Sequence, residues 1–153
     1  MKNRKQRLIL EQVSNKLAGL ERLVSVQQPS GWINTIRVAL NMSLSQLGKR
    51  TGKTAQGVRA LEQREKSGAI TLQSLRDIAE AMDMKLIYAI VPKTGTLEEM
   101  VNEKVALKAQ EIVNRTNTTM ALEDQENAKA RLLEAFAEKK IELKNEMPKF
   151  LWD

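Results

Sequence analysis

The sequence predicts a mainly α-helical fold. Aromatic residues make up only 3% of the 153 residues, whereas apolar residues make up 42%. The core must therefore come from Leu, Ile, Val, Met and Ala, the composition of helical bundles. Apolar residues also recur at helical spacing, and several of these runs follow a Ser or Thr that can cap a helix. This length suits one compact domain with an appendage, or two small domains.

The first predicted element is an amphipathic helix over about residues 2–24. Apolar residues follow one another at intervals of three or four along it: Ile9, Val13, Leu17, Leu20 and Val24. Such a stripe lies on one face of a helix. Helix-ending residues gather at 27–31, and the proline among them disfavours helical angles in the preceding residue. Residues 1–30 are therefore predicted to be a helix followed by a joint.

Residues 31–92 are predicted to form a domain of four short helices and a terminal strand. The first helix opens at Trp32. Ser43-Leu44-Ser45-Gln46 fits a capping box, in which the Ser and Gln side chains each bond a backbone N–H of the first turn. The second helix therefore begins near Leu44. Thr54 and Thr71 can cap the third and fourth helices.

Residues 85–91 are the strand candidate of the sequence. They are rich in β-branched and apolar side chains and end at Pro92. No second strand is evident, so we expect the same strand of another subunit to pair with it and form a homodimer. The predicted dimer contacts are Leu86, Ile87, Tyr88, Ala89 and Ile90. A buried extended segment, or one more turn of helix, is the alternative.

Residues 93–153 are predicted to form a C-terminal helical extension. Thr96-Leu97-Glu98-Glu99 fits a second capping box and opens a helix. The Asn- and Thr-rich residues 114–119 predict a turn, and a final amphipathic helix covers about residues 120–146. Pro148 follows this helix and leaves an apolar tail.

The missing residue types exclude many active sites. The chain has no Cys and no His, so thiol nucleophiles, imidazole bases, disulfides and Cys/His zinc sites are ruled out. We expect no metal and no cofactor. Paired carboxylates such as Glu98 and Glu99 suit a helix N-terminus better than acid–base catalysis, so we expect no enzyme. No apolar run reaches the length of a membrane span, which predicts a cytoplasmic protein without membrane contact.

Positive charge is concentrated in the first part of the chain. Residues 1–92 carry 15 basic and 7 acidic side chains, a net charge of +8, whereas residues 93–153 carry 10 and 12, a net charge of −2. Residues 22–61 contain six basic side chains and no acidic one. Such a stretch attracts phosphate groups. A solvated basic surface without a partner is the alternative.

The acid-free stretch contains the spacing of a helix-turn-helix. Gly48 leaves room where two helices cross, and Gly52 supplies a turn that tolerates positive φ. Val58 and Leu61 then face the core and fix a second helix over about residues 55–64. An α-helix fits the major groove of DNA, where residues near its N-terminus reach base edges.

This pattern resembles the XRE-type, lambda-repressor-like helix-turn-helix family. Over about residues 5–115 the chain also resembles the small regulators called mobile mystery protein A. The similar segments are, in order, Gly31-Trp32-Ile33, Gly68-Ala69-Ile70-Thr71-Leu72, residues 86–92 and residues 97–101. The resemblance implies a lambda-repressor-like domain in a regulator encoded beside a Fic-domain protein, as in a toxin–antitoxin pair.

The resemblance also implies which residues face DNA. The matching positions of the recognition helix are Thr54, Ala55, Gln56, Arg59 and Ala60. Gln56 can pair with adenine and Arg59 with guanine, each discriminating by about 1–3 kcal/mol. The two alanine methyl groups can contact thymine methyl groups.

Contacts with the DNA backbone are predicted for a second set of residues: Ser43, Lys49, Arg50 and Lys53, with Arg37 as a further candidate. The sequence departs from the family at Thr51 and Lys53, where aliphatic residues are usual. It also departs at Gly57, because glycine within a helix costs about 1 kcal/mol relative to alanine. A scaffold retained for dimerisation or partner binding, with weakened DNA affinity, is therefore an alternative.

These observations together favour a homodimeric transcriptional regulator that binds double-stranded DNA. We expect an antitoxin-like autorepressor that recognises a palindromic operator with half-sites about 34 Å apart, with a Fic-domain protein as its partner. The alternative is an antitoxin that inhibits the partner enzyme directly through its C-terminal helices, with DNA binding secondary.

Overall fold

The computed structural model describes residues 3–25, 28–117 and 125–153. Within them lie seven α-helices: α1 (Arg4–Leu17), α2 (Trp32–Ala39), α3 (Leu44–Thr51), α4 (Ala55–Ser67), α5 (Leu72–Ala81), α6 (Leu97–Asn117) and α7 (Gln125–Glu146). Short 3-10 helices follow α1 at Leu20–Ser25 and α7 at Lys149–Trp152. No residue of these ranges is in a β-strand. The prediction of a mainly helical fold is confirmed.

The chain divides into two compact units. The central unit is Ser25–Ala89 and contains α2 to α5. The terminal unit is Met1–Val24 with Ile90–Asp153 and contains α1, α6 and α7. Within it α1 packs on α6. The sequence predicts a separate N-terminal segment over residues 1–30. The contact between α1 and α6 could not be predicted, because local sequence patterns do not report contacts between helices so far apart in the chain.

The central unit has one apolar core. Each of its four helices contributes to the buried set, which is Ile33, Leu47, Val58, Leu61, Ile78 and Met82. Helix α3 packs along α4, while α2 contacts α4 and α5 contacts α3. Helix α4 is thus held from two sides.

Capping side chains start the helices of the central unit, as predicted. The Ser43 hydroxyl accepts the N–H of Gln46 at 3.1 Å, and the Gln46 side chain accepts the N–H of Ser43 at 2.8 Å. The Thr54 hydroxyl accepts the N–H of Gly57 at 3.0 Å, and Thr71 caps α5 in the same way. These bonds satisfy donors that a helix start otherwise leaves unpaired.

The terminal unit is built around the contact between α6 and α7. Its buried core is Val101, Val105, Ala109, Leu143 and Leu151. The predicted capping box before α6 is present: the Thr96 N–H donates to the Glu99 carboxylate at 2.7 Å, and the Glu99 N–H donates to the Thr96 hydroxyl at 3.1 Å. The tail after Pro148 is partly anchored, because Leu151 is buried while its neighbours on either side are exposed.

Helix α6 is longer than predicted. It continues to Asn117, so the predicted turn is wrong at residues 114–117. Side-chain bonds one turn apart support the extension: Gln110 bonds Asn114 at 2.8 Å, and Arg115 bonds Glu111. Residues 118 and 119, and the predicted start of the last helix at Met120, lie outside the described residues.

Helix α1 is shorter than predicted. It ends at Leu17, and Gly19 adopts a φ of 87°, which interrupts the helix. Leu10 packs against the core of the terminal unit, whereas Ile9 and Val13 are exposed. The packed side of α1 therefore differs from the predicted stripe at these positions.

Residues 85–91 form neither helix nor strand within the chain. Their backbone groups make no hydrogen bond with another described residue. Ile87, Tyr88 and Ile90 are 77%, 61% and 89% exposed, so the helical and buried alternatives are both wrong. The proposed pairing needs a second subunit and stays a prediction.

Candidate nucleic-acid interface

Two glycines define the junction between α3 and α4. A Cβ on Gly48 would lie 2.5 Å from the backbone oxygen of Lys53 and 3.2 Å from the backbone carbon of Thr54. Helix α3 therefore touches the start of α4 backbone to backbone. Gly52 ends α3 with φ 66° and ψ 27°, a left-handed conformation that glycine adopts without strain. A side chain would clash at the first position and strain the backbone at the second.

Helix α4 has distinct inner and outer sides. Val58, Leu61 and Glu62 are buried. Four exposed residues recur at intervals of three and four, and because a helix repeats every 3.6 residues they share one side. We call this side the outward face of α4; it consists of Gln56, Arg59, Gln63 and Lys66.

The first carboxylate of α4 is bound by α2. Glu62 accepts Nε and Nη2 of Arg37 at 2.6 and 3.3 Å and Nδ2 of Asn34 at 3.1 Å. Nη1 of Arg37 also donates to the Met42 carbonyl at 2.9 Å. The Arg37 and Glu62 side chains are only 13% and 10% exposed. The pair therefore neutralises its charges inside the central unit, and Arg37 serves α4 rather than a free surface.

The second carboxylate of α4 caps α2. The two oxygens of Glu65 accept the N–H groups of Trp32 and Ile33 at 2.7 and 2.9 Å. A Cβ on Gly31 would lie 2.8 Å from Oε2 of Glu65, so glycine makes room for the carboxylate. The positive end of the α2 dipole favours this charge.

The outward face of α4 consequently presents positive charge without an acid. Both carboxylates of the helix are bound by α2, whereas Arg59 and Lys66 are exposed. Arg64, the third cation of α4, is exposed as well. An anion approaching this face meets cations and the amide groups of Gln56 and Gln63.

Most of the predicted base-reading residues lie at the start of α4. Thr54, Ala55, Gln56 and Arg59 are exposed, and Ala60 is partly buried. The Thr54 hydroxyl is occupied as the cap of α4. The structure thus brings these residues together over the first two turns of one helix.

The residues predicted to contact the DNA backbone are more dispersed. Ser43, Lys49 and Lys53 are exposed, and Ser43 also caps α3. Nη1 of Arg50 instead donates to the Ala81 carbonyl at 3.1 Å and to Oδ2 of Asp83 at 3.2 Å. Arg50 thus holds the C-terminal end of α5, where carbonyl oxygens attract cations. A phosphate contact by Arg50 would have to share these bonds.

The predicted dimer segment is anchored at one side chain. The guanidinium carbon of Arg76, on α5, lies 5.8 Å from the centre of the Tyr88 ring, within the range of a cation–π contact. Leu86 is partly buried, while Ile87, Ala89 and Ile90 are exposed. The contact places the Tyr88 ring beside α5, and the neighbouring apolar side chains are open to solvent.

Sequence reasoning missed the roles of Glu62 and Glu65. Glu62 follows Leu61 and lies four residues after Val58, on the side of the helix that faces the core. A carboxylate at such a position requires a cation or several donors, because burying an unpaired charge is costly. This spacing was the available signal. Nothing in the local sequence points from Glu65 to α2.

Comparison of the chain with models of protein families, with curated proteins and with solved structures finds no match. No helix within the described ranges is long and apolar enough to cross a membrane. The side chains of those ranges contain no group of three acidic residues that could hold a metal ion.

Proposed function

We propose that the protein is a homodimeric, sequence-specific DNA-binding regulator. In this proposal α3 and α4 form a lambda-repressor-like helix-turn-helix, and α4 enters the major groove of a palindromic operator. The observation that carries the proposal is the outward face of α4: exposed cations and amides, with both carboxylates of the helix bound by α2. Such a face matches the acceptor-rich edges of bases and the phosphates beside them.

Dimerisation is proposed through residues 85–91. Their unpaired backbone groups and exposed apolar side chains suit an antiparallel pair formed with the same segment of a second copy. Two copies related by a two-fold axis read two half-sites. A palindromic operator follows from this symmetry.

The biological setting of the proposal comes from the resemblance alone. Regulators of the resembled type are encoded beside a Fic-domain protein, so we propose an antitoxin-like autorepressor of an operon with such a partner. The protein has no catalytic role in this proposal.

The base-reading role is tested with two substitutions, Gln56→Ala and Arg59→Ala. A preferred duplex is first selected from a randomised library with the wild-type protein, and binding is then measured by fluorescence anisotropy at fixed salt. Each substitution is expected to lower the affinity for the selected duplex about 5- to 150-fold, which corresponds to the loss of one bidentate pair. Each should also relax the sequence preference at one base.

Arg131→Ala is the matched control, because it removes an exposed cation from α7 and is expected to leave specific binding unchanged. Lys53→Ala should lower the affinity for duplexes of every sequence by the same factor, and it should reduce the slope of log affinity against log salt concentration by about 0.9. Unchanged affinity and base preference in both α4 variants would reject the assigned interface.

A second candidate function is direct inhibition of a partner enzyme by the C-terminal helices. Leu133 and Ile141 favour it, because they are 64% and 63% exposed and lie two turns apart on one side of α7. Deleting the C-terminal helices would expose the core of the terminal unit, so point substitutions are the better test. Leu133→Ser with Ile141→Ser should abolish binding of the purified Fic-domain partner and leave DNA binding intact; retained partner binding would reject this candidate.

A further inference from the structure

A polar cleft of about 280 Å³ opens between α2 and α4 on the central unit. Its polar lining comes from two helices and from Ser30, which lies two residues before α2: Asn34 and Arg37 from α2, and Arg59, Gln63 and Lys66 from α4. Three of these residues are cations, and two others offer amide donors. The cleft is therefore lined for an anion.

The carboxylate in the cleft does not oppose this charge. Glu62 also lines it, but its oxygens are held by Arg37 and Asn34. Neither Arg59 nor Lys66 forms an ion pair with another described residue. Two cations of the lining thus remain to bind a ligand, because Arg37 and Glu62 cancel each other.

The chemistry of the lining favours a phosphate group. Phosphate offers several acceptor oxygens in a small volume, and cationic, hydroxyl and amide donors are its usual protein partners. Lys66 would balance its charge, while the Arg59 guanidinium, assigned above to a base edge, would add to the positive potential beside it. The Ser30 hydroxyl and the Gln63 amide would donate to the remaining oxygens.

The position of the cleft indicates which phosphate it would hold. Arg59, Gln63 and Lys66 belong both to the cleft and to the outward face of α4. A ligand in the cleft would therefore lie beside whatever that face contacts. We propose that the cleft binds one backbone phosphate of the DNA strand that borders the groove entered by α4. This inference rests on the proposed function and adds α2 and Ser30 to the interface.

The test compares Lys66→Gln and Ser30→Ala with the matched control Lys140→Gln, which removes an exposed lysine from α7. Affinity for the selected duplex is measured from 50 to 200 mM salt. Lys66→Gln should reduce the salt slope by about 0.9, so its affinity falls about 3.5-fold less than that of the wild type over this range. Ser30→Ala keeps the slope and weakens binding, and the control changes neither quantity.

A second measurement locates the contact on DNA. Backbone phosphates of the duplex are replaced one at a time by neutral methylphosphonates. One replacement should weaken DNA binding by the wild type and leave binding by Lys66→Gln unchanged. The phosphate charge that this replacement removes is the one that Lys66 would contact, and the variant already lacks that lysine. All other positions should affect both proteins equally.

The outcomes separate the cleft from the proposed function. Failure of the wild type to select or bind any duplex would overturn both. A second outcome would overturn only the proposal that the cleft binds a phosphate. In that outcome the wild type binds DNA, Lys66→Gln has an unchanged salt slope, and no single phosphate replacement distinguishes the two proteins. Inorganic phosphate distinguishes the remaining source: if it shifts the amide resonances of the cleft while Lys66→Gln leaves DNA binding intact, the cleft takes a free anion and the inference is wrong.

Discussion

Removing one partner of the Arg37–Glu62 pair should destabilise the central unit far more than replacing both partners. Two of the guanidinium nitrogens of Arg37 contact the Glu62 carboxylate at 2.6 and 3.3 Å, and both side chains are nearly out of water. Breaking a buried pair from one side costs about 3–5 kcal/mol, because a lone charge stays behind. We therefore expect this loss from Arg37→Met and from Glu62→Met.

The double replacement Arg37→Met with Glu62→Met leaves no buried charge. It still removes the bond to the Met42 carbonyl and the bond from Asn34, each worth about 0.5–1.5 kcal/mol. The expected cost is about 1–3 kcal/mol, compared with about 6–10 kcal/mol for two additive losses. The coupling energy should therefore be at least about 3 kcal/mol.

Urea unfolding followed by fluorescence measures these free energies. Trp32 belongs to the central unit and Trp152 to the terminal unit, so a Trp152→Phe background isolates the signal of the central unit. A unit of this size has a total stability of roughly 3–10 kcal/mol. The single variants should thus unfold at a much lower urea concentration than the wild type, whereas the double variant should keep a midpoint closer to that of the wild type.

The Arg50–Asp83 pair provides a matched control for the same cycle. Its side chains are 50% and 88% exposed, so its coupling energy should stay below about 1 kcal/mol. If the Arg37–Glu62 pair were no more strongly coupled than this exposed pair, the desolvated geometry would not control the stability of the unit, and the reasoning would be refuted.

Three further outcomes are expected. Gly48→Ala should destabilise the central unit by about 1–3 kcal/mol in urea unfolding, because the added Cβ would clash with backbone atoms. Gly57→Ala should change the stability by less than about 1 kcal/mol, since its Cβ would lie 3.3 Å from a hydroxyl. Equal losses in the two variants would contradict this reasoning. Ala89→Pro removes an N–H of the proposed strand pair and should yield monomers in sedimentation experiments, unlike Ala89→Ser; a dimeric proline variant would exclude that contact. A hydrogen bond from Lys108 lowers the pKa of Glu111 below its ordinary value of 4.5. The ionised Glu111 side chain therefore stabilises the fold near neutral pH, and this contribution is lost as the pH falls through the lowered pKa. Glu111→Gln should therefore lower the thermal midpoint at pH 7 only; a loss that persists in strong acid would point to another cause.

The features predicted correctly are those that depend on a few consecutive residues. The capping boxes at Ser43 and Thr96 each join residues three apart, so the sequence contains both partners of each bond. The extent of α1 was predicted less well, since a single glycine ended a helix whose apolar spacing continued beyond it. The division into two units depends on packing between distant helices and has no local signature.

The same distinction applies to the candidate interface. The exposure of Gln56 and Arg59 follows from the helical repeat once Val58 and Leu61 are placed in the core. The partners of the α4 carboxylates do not follow from it: Arg37 is 25 residues from Glu62, and Trp32 is 33 residues from Glu65. Contacts of this kind arise only when α2 packs on α4.

These long-range contacts change what the charge pattern means. In the sequence the acid-free stretch ends at Glu62 and is followed soon by Glu65, which suggests that the positive surface stops there. In the fold both carboxylates are bound by α2, so the positive surface continues along α4 to Lys66. The contacts that hold α4 in place are therefore also the contacts that remove negative charge from its exposed side, and one packing arrangement both positions the helix and makes it attractive to phosphate.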